Sequence, residues 1–242
     1  LESVTATSVR ISIDTAHFED VSVAYTLSGT ASGGGTDYTL SAGTATILAG
    51  DTSTTVSLVV VNDAIDEPAE TVVLTLSSPT YASLGTNTSL TYTITDNDVA
   101  GVTVSPTALS VSEGGSSAGY TIVLDTQPTS TVQVVLTVPA DLSVSTSTLT
   151  FTSSNWSSAQ TVTVTATDDA AVEGTHTASI THAINIPGTG FAYGYTGLSG
   201  ISSLVATITD NDSAAQTSSN SSATTDAGGG AATAGASSPG GV

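Results

Sequence analysis

A six-residue stretch, TITDND, occurs twice in this 242-residue chain, at Thr93–Asp98 and at Thr207–Asp212. Each copy closes an alternating β-pattern, then presents two carboxylates and a carboxamide in a row: Asp96, Asn97, Asp98 and Asp210, Asn211, Asp212. At a strand end such side chains are poor core material and good ligands for a hard cation that takes oxygen donors. The copies lie a domain length apart, which indicates a tandem repeat. Other acids recur in step. Glu2, Asp37, Asp63, Glu67 and Glu70 of the first unit are answered by Glu113, Asp141, Asp168, Asp169 and Glu173 of the second, each just before or just after a predicted strand.

Crowded carboxylates are costly without a counter-charge. Two of them ~4 Å apart repel by roughly 4 kcal/mol at an effective dielectric of about 20, and a domain is stable by only ~5–15 kcal/mol. The cation-free end of each unit is therefore expected to loosen or to take up protons, and calcium (Ca2+) to lock it. Each cluster has more carboxylates than one ion needs, so two or more ions per unit are expected. Asp96–Gly101 (DNDVAG) opens like an EF-hand loop, but Ala100 stands at a ligand position and Thr107 replaces the closing glutamate.

Catalytic readings are weak. Gly115–Gly119 (GSSAG) fits G-x-S-x-G but leads into a strand rather than a strand-to-helix elbow. His17, His176 and His182 have no triad or zinc spacing, and there is no Cys. Paired carboxylates could hydrolyse glycosides, but the one aromatic cluster lies in a different loop from the acids. The expectation is a non-enzyme.

One basic residue, Arg10, stands against 21 acidic ones, a formal charge of −20. Nucleic acid and anionic membrane are excluded as partners because phosphate binding needs Lys and Arg. No apolar run is long enough to predict insertion in a membrane. Low charge density with abundant Ser, Thr, Val and Gly reads as an extracellular or cell-surface all-β protein.

The elements that must carry the acids are short strands. Ser8–Asp14, Val21–Ser28, Thr44–Leu48, Thr54–Val61, Glu70–Ser77 and Ser89–Thr95 alternate or run β-branched between turn clusters, with no useful helical period. The pattern restarts after Asp98 through Val102–Ser105, Leu109–Val111, Ala118–Asp125, Thr131–Val138, Thr148–Phe151, Gln160–Thr167, Thr175–His182 and Ser203–Thr209. This predicts an all-β chain of two tandem seven-stranded antiparallel Greek-key (Ig-like) sandwiches, over 1–98 and 99–212. The first cluster should sit near their junction. Strand material precedes Glu113 but not Glu2, so the first sandwich is expected to lack its opening strand within this sequence, either because cleavage of a longer chain removed it or because another segment or subunit adds a strand to the open sheet edge. An insertion at Ala183–Ser202 gathers Phe191, Tyr193 and Tyr195, read as packing over the sandwich in preference to a recognition surface. Residues 213–242 are low in large side chains and read as a tail or linker.

Asp37-Tyr38, VVVNDAIDEPAETVVLTLS at Val59–Ser77 and TITDND together resemble a Calx-beta domain, the calcium-binding sandwich of sodium–calcium exchangers and large bacterial surface proteins. LSVSEGG, TVTATDDAAVEG and TITDND make the second unit similar. The resemblance implies calcium ligands at Glu2, Asp37, Asp63, Glu67, Glu70, Asp96, Asn97 and Asp98. In the second unit it implies Glu113, Asp141, Asp168, Asp169, Glu173, Asp210, Asn211 and Asp212. Leu142 replaces the tyrosine of the Asp-Tyr step, and His176 stands where Glu70 would be, so weaker binding or fewer ions are expected there. The function expected is a calcium-rigidified structural or adhesive module, its partners other copies of itself, other surface-protein domains, or a glycan or cell-surface ligand. The alternative is a self-assembling extracellular filament or matrix subunit in which a neighbour supplies the absent strand.

Overall fold

The computed structural model describes residues 1–2, 6–188 and 190–213, and among these there are strands and turns but no helix. From residue 214 onward the expected tail lies outside the described residues.

In the first half, β1 (Thr7–Ser12), β2 (Val21–Gly29), β3 (Gly43–Ile47), β4 (Ser53–Leu58), β5 (Glu70–Ser77) and β6 (Ser89–Ile94) make two sheets. β1 pairs antiparallel with β4, and the other sheet runs β3-β2-β5-β6. Alternation decides what is buried: Val21 and Val23 of β2 and Val72 and Leu74 of β5 point inward, with Ser22 and Thr71 nearer solvent. The strand expected over Thr54–Val61 stops at Leu58, and Val60 makes only an isolated bridge to Tyr38.

The second half contains β7 (Val102–Ser105), β8 (Ala108–Ser112), β9 (Ala118–Leu124), β10 (Val132–Thr137), β11 (Leu142–Val144), β12 (Thr148–Phe151), β13 (Gln160–Ala166), β14 (His176–Asn185) and β15 (Leu204–Thr209). Its sheets are β12-β10-β14-β15-β8 and β11-β13-β9-β7. β9, β10, β12, β13, β14 and β15 hold the places of β1, β2, β3, β4, β5 and β6. The opening run splits at Pro106, which has no N–H for a ladder, and its two pieces join opposite sheets. β8 pairs parallel with β15, Leu109 opposite Ala206 and Val111 opposite Ile208. The sandwich is therefore not purely antiparallel. Alternating residues encode which face is buried, not which way the neighbouring strand runs.

One hydrophobic cluster fills the second half, around Tyr120, Ile122, Val134, Phe151, Val162, Ile180 and Ile208. β14 continues to Asn185, so the aromatic insertion is a loop only from Ile186. That loop sends Tyr195 into the cluster. The Tyr195 hydroxyl accepts the Thr126 N–H at 3.0 Å and donates to the Thr126 carbonyl at 2.8 Å. Phe191 and Tyr193 stay exposed, edge to face. The first half instead has two smaller clusters, one around Tyr38, Leu58, Val60, Val72 and Ile94, the other around Ile11, Val23 and Ala45.

Candidate metal centre

At the end of β6 the Thr95 carbonyl accepts the Glu2 N–H at 2.9 Å, which lays Glu2 beside the first DND. The acidic loops are then held by their own backbone. Asp96 accepts the Asp98 N–H at 3.0 Å on one oxygen and the Glu67 N–H at 2.8 Å on the other. Asp63 accepts the Ile65 N–H at 2.8 Å. Such Asx-type turns fold a short acidic sequence back on itself, here against a neighbouring strand end. One carboxylate oxygen from each of Glu2, Asp96 and Asp98 lies within 4.8 Å of the others. Glu2 is only 4 % exposed, and its Oε2 and the Asp98 Oδ2 are buried with no hydrogen-bond partner.

Burial, reinforced by Asp96 and Asp63, pushes the Glu2 carboxyl up to about 7. Glu70 is also raised to about 7, by burial and by a hydrogen bond with Asp37. Glu67 is raised by burial and then by Asp37, Asp63 and Asp96, so it lies between the two groups and senses both. Asp98 is raised by burial and by Asp96, Asp63 and Asp66. Asp37 is itself buried, and its carboxylate accepts the Ser32 N–H.

The second half repeats this wiring. Glu113 N–H reaches the Thr209 carbonyl at 3.1 Å. Asp210 accepts the N–H groups of Glu173, Gly174 and Asp212, each at 2.7 Å, and these hold its carboxyl below the usual range. Asp169 accepts the Ala171 N–H at 2.7 Å, as Asp63 does that of Ile65. Glu113, Asp169 and Asp212 form the second cluster, again within 4.8 Å. The Glu113 Oε2 and Asp212 Oδ2 are its buried, partnerless oxygens, and burial followed by neighbouring carboxylates raises both groups. Asp37 and Asp141 also match, their carbonyls accepting the Val61 and Thr167 N–H groups at 2.9 Å.

Strand register fixes the histidine. Glu70 opens β5 opposite Ile94 and His176 opens β14 opposite Ile208, so they occupy one position. His176 Nε2 lies 3.8 Å from Glu173 and 3.9 Å from Asp141, and a hydrogen bond to the Gly174 carbonyl together with those acids raises its pKa. The two carboxamides do not both reach the clusters. Asn97 is exposed. Asn211 donates its side-chain N–H to Asp168 at 2.9 Å and to the Glu113 carbonyl at 3.2 Å, which makes it a clamp on the acidic loop. Sequence reasoning left Asp66 out of the ligand set, and in the structure its carboxylate accepts the Ala100 N–H at 2.8 Å instead of joining the cluster. The neighbouring Ala64 carbonyl accepts the Gln127 N–H at 2.7 Å, so the first acidic loop is tied to the second half. The sequence signal was Asp66 itself, the second acid of NDAIDE, which stands where the second unit has Val172.

The donor set fits a hard divalent cation. It is made of carboxylate oxygens, two of them per cluster are buried without a proton donor, and burial disfavours their charge. Thiolate is absent, and the one imidazole is held between acids.

The molecule is thus a tandem β-sandwich protein with a cluster of carboxylates at equivalent strand ends of its two halves. The Calx-beta domain family is matched by residues 1–98 and again by residues 95–188, and the chain belongs to that family. The second match stops before β15 and its acids. Solved structures similar in part include CBD12 from CALX1.2, 18 % identical over 78 % of this chain and 78 % of that one, TM-score 0.38. The calcium binding domain CBD12 of CALX1.1 is 21 % identical over 76 % and 74 %, TM-score 0.38. The apo-form Calx CBD1 domain is 26 % identical over 40 % of this chain and 87 % of that one, TM-score 0.37. At these TM-scores the overlays carry no weight beside the family match. No curated protein matches the chain.

Proposed function

We propose that the chain is a non-catalytic calcium-binding module of an extracellular or cell-surface protein, made of two units over 1–98 and 99–212 and stiffened by the ions it binds. The observation that carries this reading is the pair of buried, partnerless carboxylate oxygens at equivalent places in both halves. A buried acceptor that meets neither donor nor water is costly. Two such acceptors converging beside further carboxylates suit one ligand class, a cation. Bound there, a divalent cation supplies the charge that cancels their repulsion.

Glu2, Asp63, Asp96 and Asp98 would hold one ion in the first unit, and Asp37, Glu67 and Glu70 the neighbouring position. Glu113, Asp169 and Asp212 would hold the ion of the second unit, with Asp141, Glu173 and His176 beside it. Membership of the Calx-beta family, the calcium-binding sandwich family that the acidic motifs resemble, agrees with calcium as the ion. The first site is the one coupled to the rest of the molecule, because Asp63 and Asp66 share a loop and Asp66 holds Ala100. Titration calorimetry with calcium and with magnesium tests the reading. Calcium should bind with a stoichiometry above one per chain and raise the melting temperature. A melting curve unchanged between calcium and EDTA would remove the proposal.

A further inference from the structure

One polar connection runs between the two sheets of the second half, and it lies far from the acidic clusters. His182 stands on β14, in the five-stranded sheet, and Tyr120 on β9, in the four-stranded sheet. His182 Nε2 is 3.0 Å from the Tyr120 hydroxyl, and His182 Nδ1 is 2.8 Å from the Ser202 carbonyl. A carbonyl only accepts, so Nδ1 carries the ring proton, Nε2 is the acceptor, and Tyr120 donates to it. Strand register shows what the first half has instead. His182 pairs with Leu136 as Leu76 pairs with Tyr25, and Tyr120 pairs with Val162 as Val9 pairs with Val56. Both positions are apolar there, Leu76 and Val9. The polar pair thus belongs to the half that carries the aromatic loop, and it ties down the end of that loop two residues before β15. The same end, Leu198–Ser202, forms one side of a cleft of about 210 Å³. Gly101, Val102 and Asp125 form the other side, where the chain enters from the first half.

We propose that His182 is an acid-sensitive latch: neutral, it holds the end of the aromatic loop against the chain that joins the two halves, and protonated, it lets that segment go. A second ring proton would point at the Tyr120 oxygen. Tyr120 would then turn its own proton away, and at 1 % exposure it has no other acceptor among the described hydrogen bonds. The new charge would also be unpaired. Tyr120 is the titratable group that faces the ring from β9, and the neighbour on β10 is Leu136. Among the described residues no carboxylate pairs with His182, and Asp125, which shares the cleft with Ser202, is engaged by the Thr103 hydroxyl at 2.7 Å. Burial accordingly pulls the His182 pKa below the ordinary 6.5, outweighing the bond to Ser202. The unfolded chain therefore takes up this proton first, so the stability the latch contributes is present above pH 6.5 and is lost as pH falls below it. Glu2 and Glu70 act in the opposite sense, so acid loosens the second half over the interval in which it relieves the first.

The test follows the full chain, in EDTA and in calcium, by NMR of the imidazole groups and by amide exchange read as protection factors at pH 7 and pH 5. His182 should titrate below a histidine in a free peptide. The Leu198 and Val205 N–H groups donate to the Tyr195 and Thr107 carbonyls at 3.1 and 2.9 Å. Their protection should fall by about threefold or more on acidification. His182→Gln keeps a donor and an acceptor without a titrating group, and it should remove that response. Should this variant fail to fold, Tyr120→Phe is the second probe: it keeps the ring, removes the hydroxyl that protonation strands, and should shrink the response. A His182 that titrates at or above the free-peptide value would overturn the proposal. So would equal protection of Leu198 and Val205 at both pH values, or an acid response unchanged in the variants. None of these outcomes touches the calcium sites, whose melting response is read in parallel.

Discussion

A carboxylate that is buried and unpartnered records, in its own protonation, what is missing around it. Glu2 and Glu70 titrate near 7 in the cation-free fold, against 4.5 ordinarily. The folded protein therefore holds protons that the unfolded chain releases, and stability falls as pH rises through that interval. Without cation the first half should melt highest near pH 5 and progressively lower toward pH 8, and saturating calcium should flatten the dependence. Thermal melts at both pH values, with calcium and with EDTA, check this. Glu2→Gln separates repulsion from ligation. In EDTA it should raise the melting temperature, because a buried charge is gone. In calcium it should lose most of the cation-induced rise and weaken binding by about tenfold or more. Glu113→Gln should do the same in the second half.

Among the elements, β5 and β14 start at the same point of the fold and differ in their first residue. Glu70 adds a carboxylate to Asp37 and Glu67, whereas His176 sits as a raised-pKa imidazole between Asp141 and Glu173. Protonated, it supplies there part of the positive charge that a cation would. His176→Glu should therefore add calcium-binding capacity to the second half, visible as a higher stoichiometry by calorimetry. The strand pattern and the acids at its ends were legible because period two and turn residues are local properties. The roles of Asn97 and Asn211 were not. They have equal places in equal motifs, yet only Asn211 clamps Asp168, a contact set by how two loops approach.

At the scale of the molecule, the contact between the first acidic loop and the second half decides whether ion binding is felt beyond its site. Gly194 packs there with φ +68°, and a Cβ on it would overlap the Asp66 carboxylate and the Ala100 methyl group. A side chain at that position meets both a left-handed backbone and a filled space. Gly194→Ala should loosen the junction, lowering the melting temperature and reducing the calcium-dependent change in small-angle scattering, while calcium affinity of the second half is kept. The undivided core of the second half gives a further expectation. Two transitions should appear on heating in EDTA, the first belonging to residues 1–98, which amide exchange can assign.

The sequence alone determined the class of fold, the repeat and its family, and that acids recur at the strand ends. These follow from alternation, composition and the spacing of acids, all written along the chain. Tertiary structure decided which oxygens are left without partners, that Glu70 and His176 occupy one position, and that Asp66 reaches across to Ala100. It also decided that β8 runs parallel to β15. Each of these depends on distances between residues far apart in sequence, and local pattern does not carry that information. The twin TITDND stretches show both sides: identical in sequence, they end as one cluster joined to a neighbouring half and one clamped by its own asparagine.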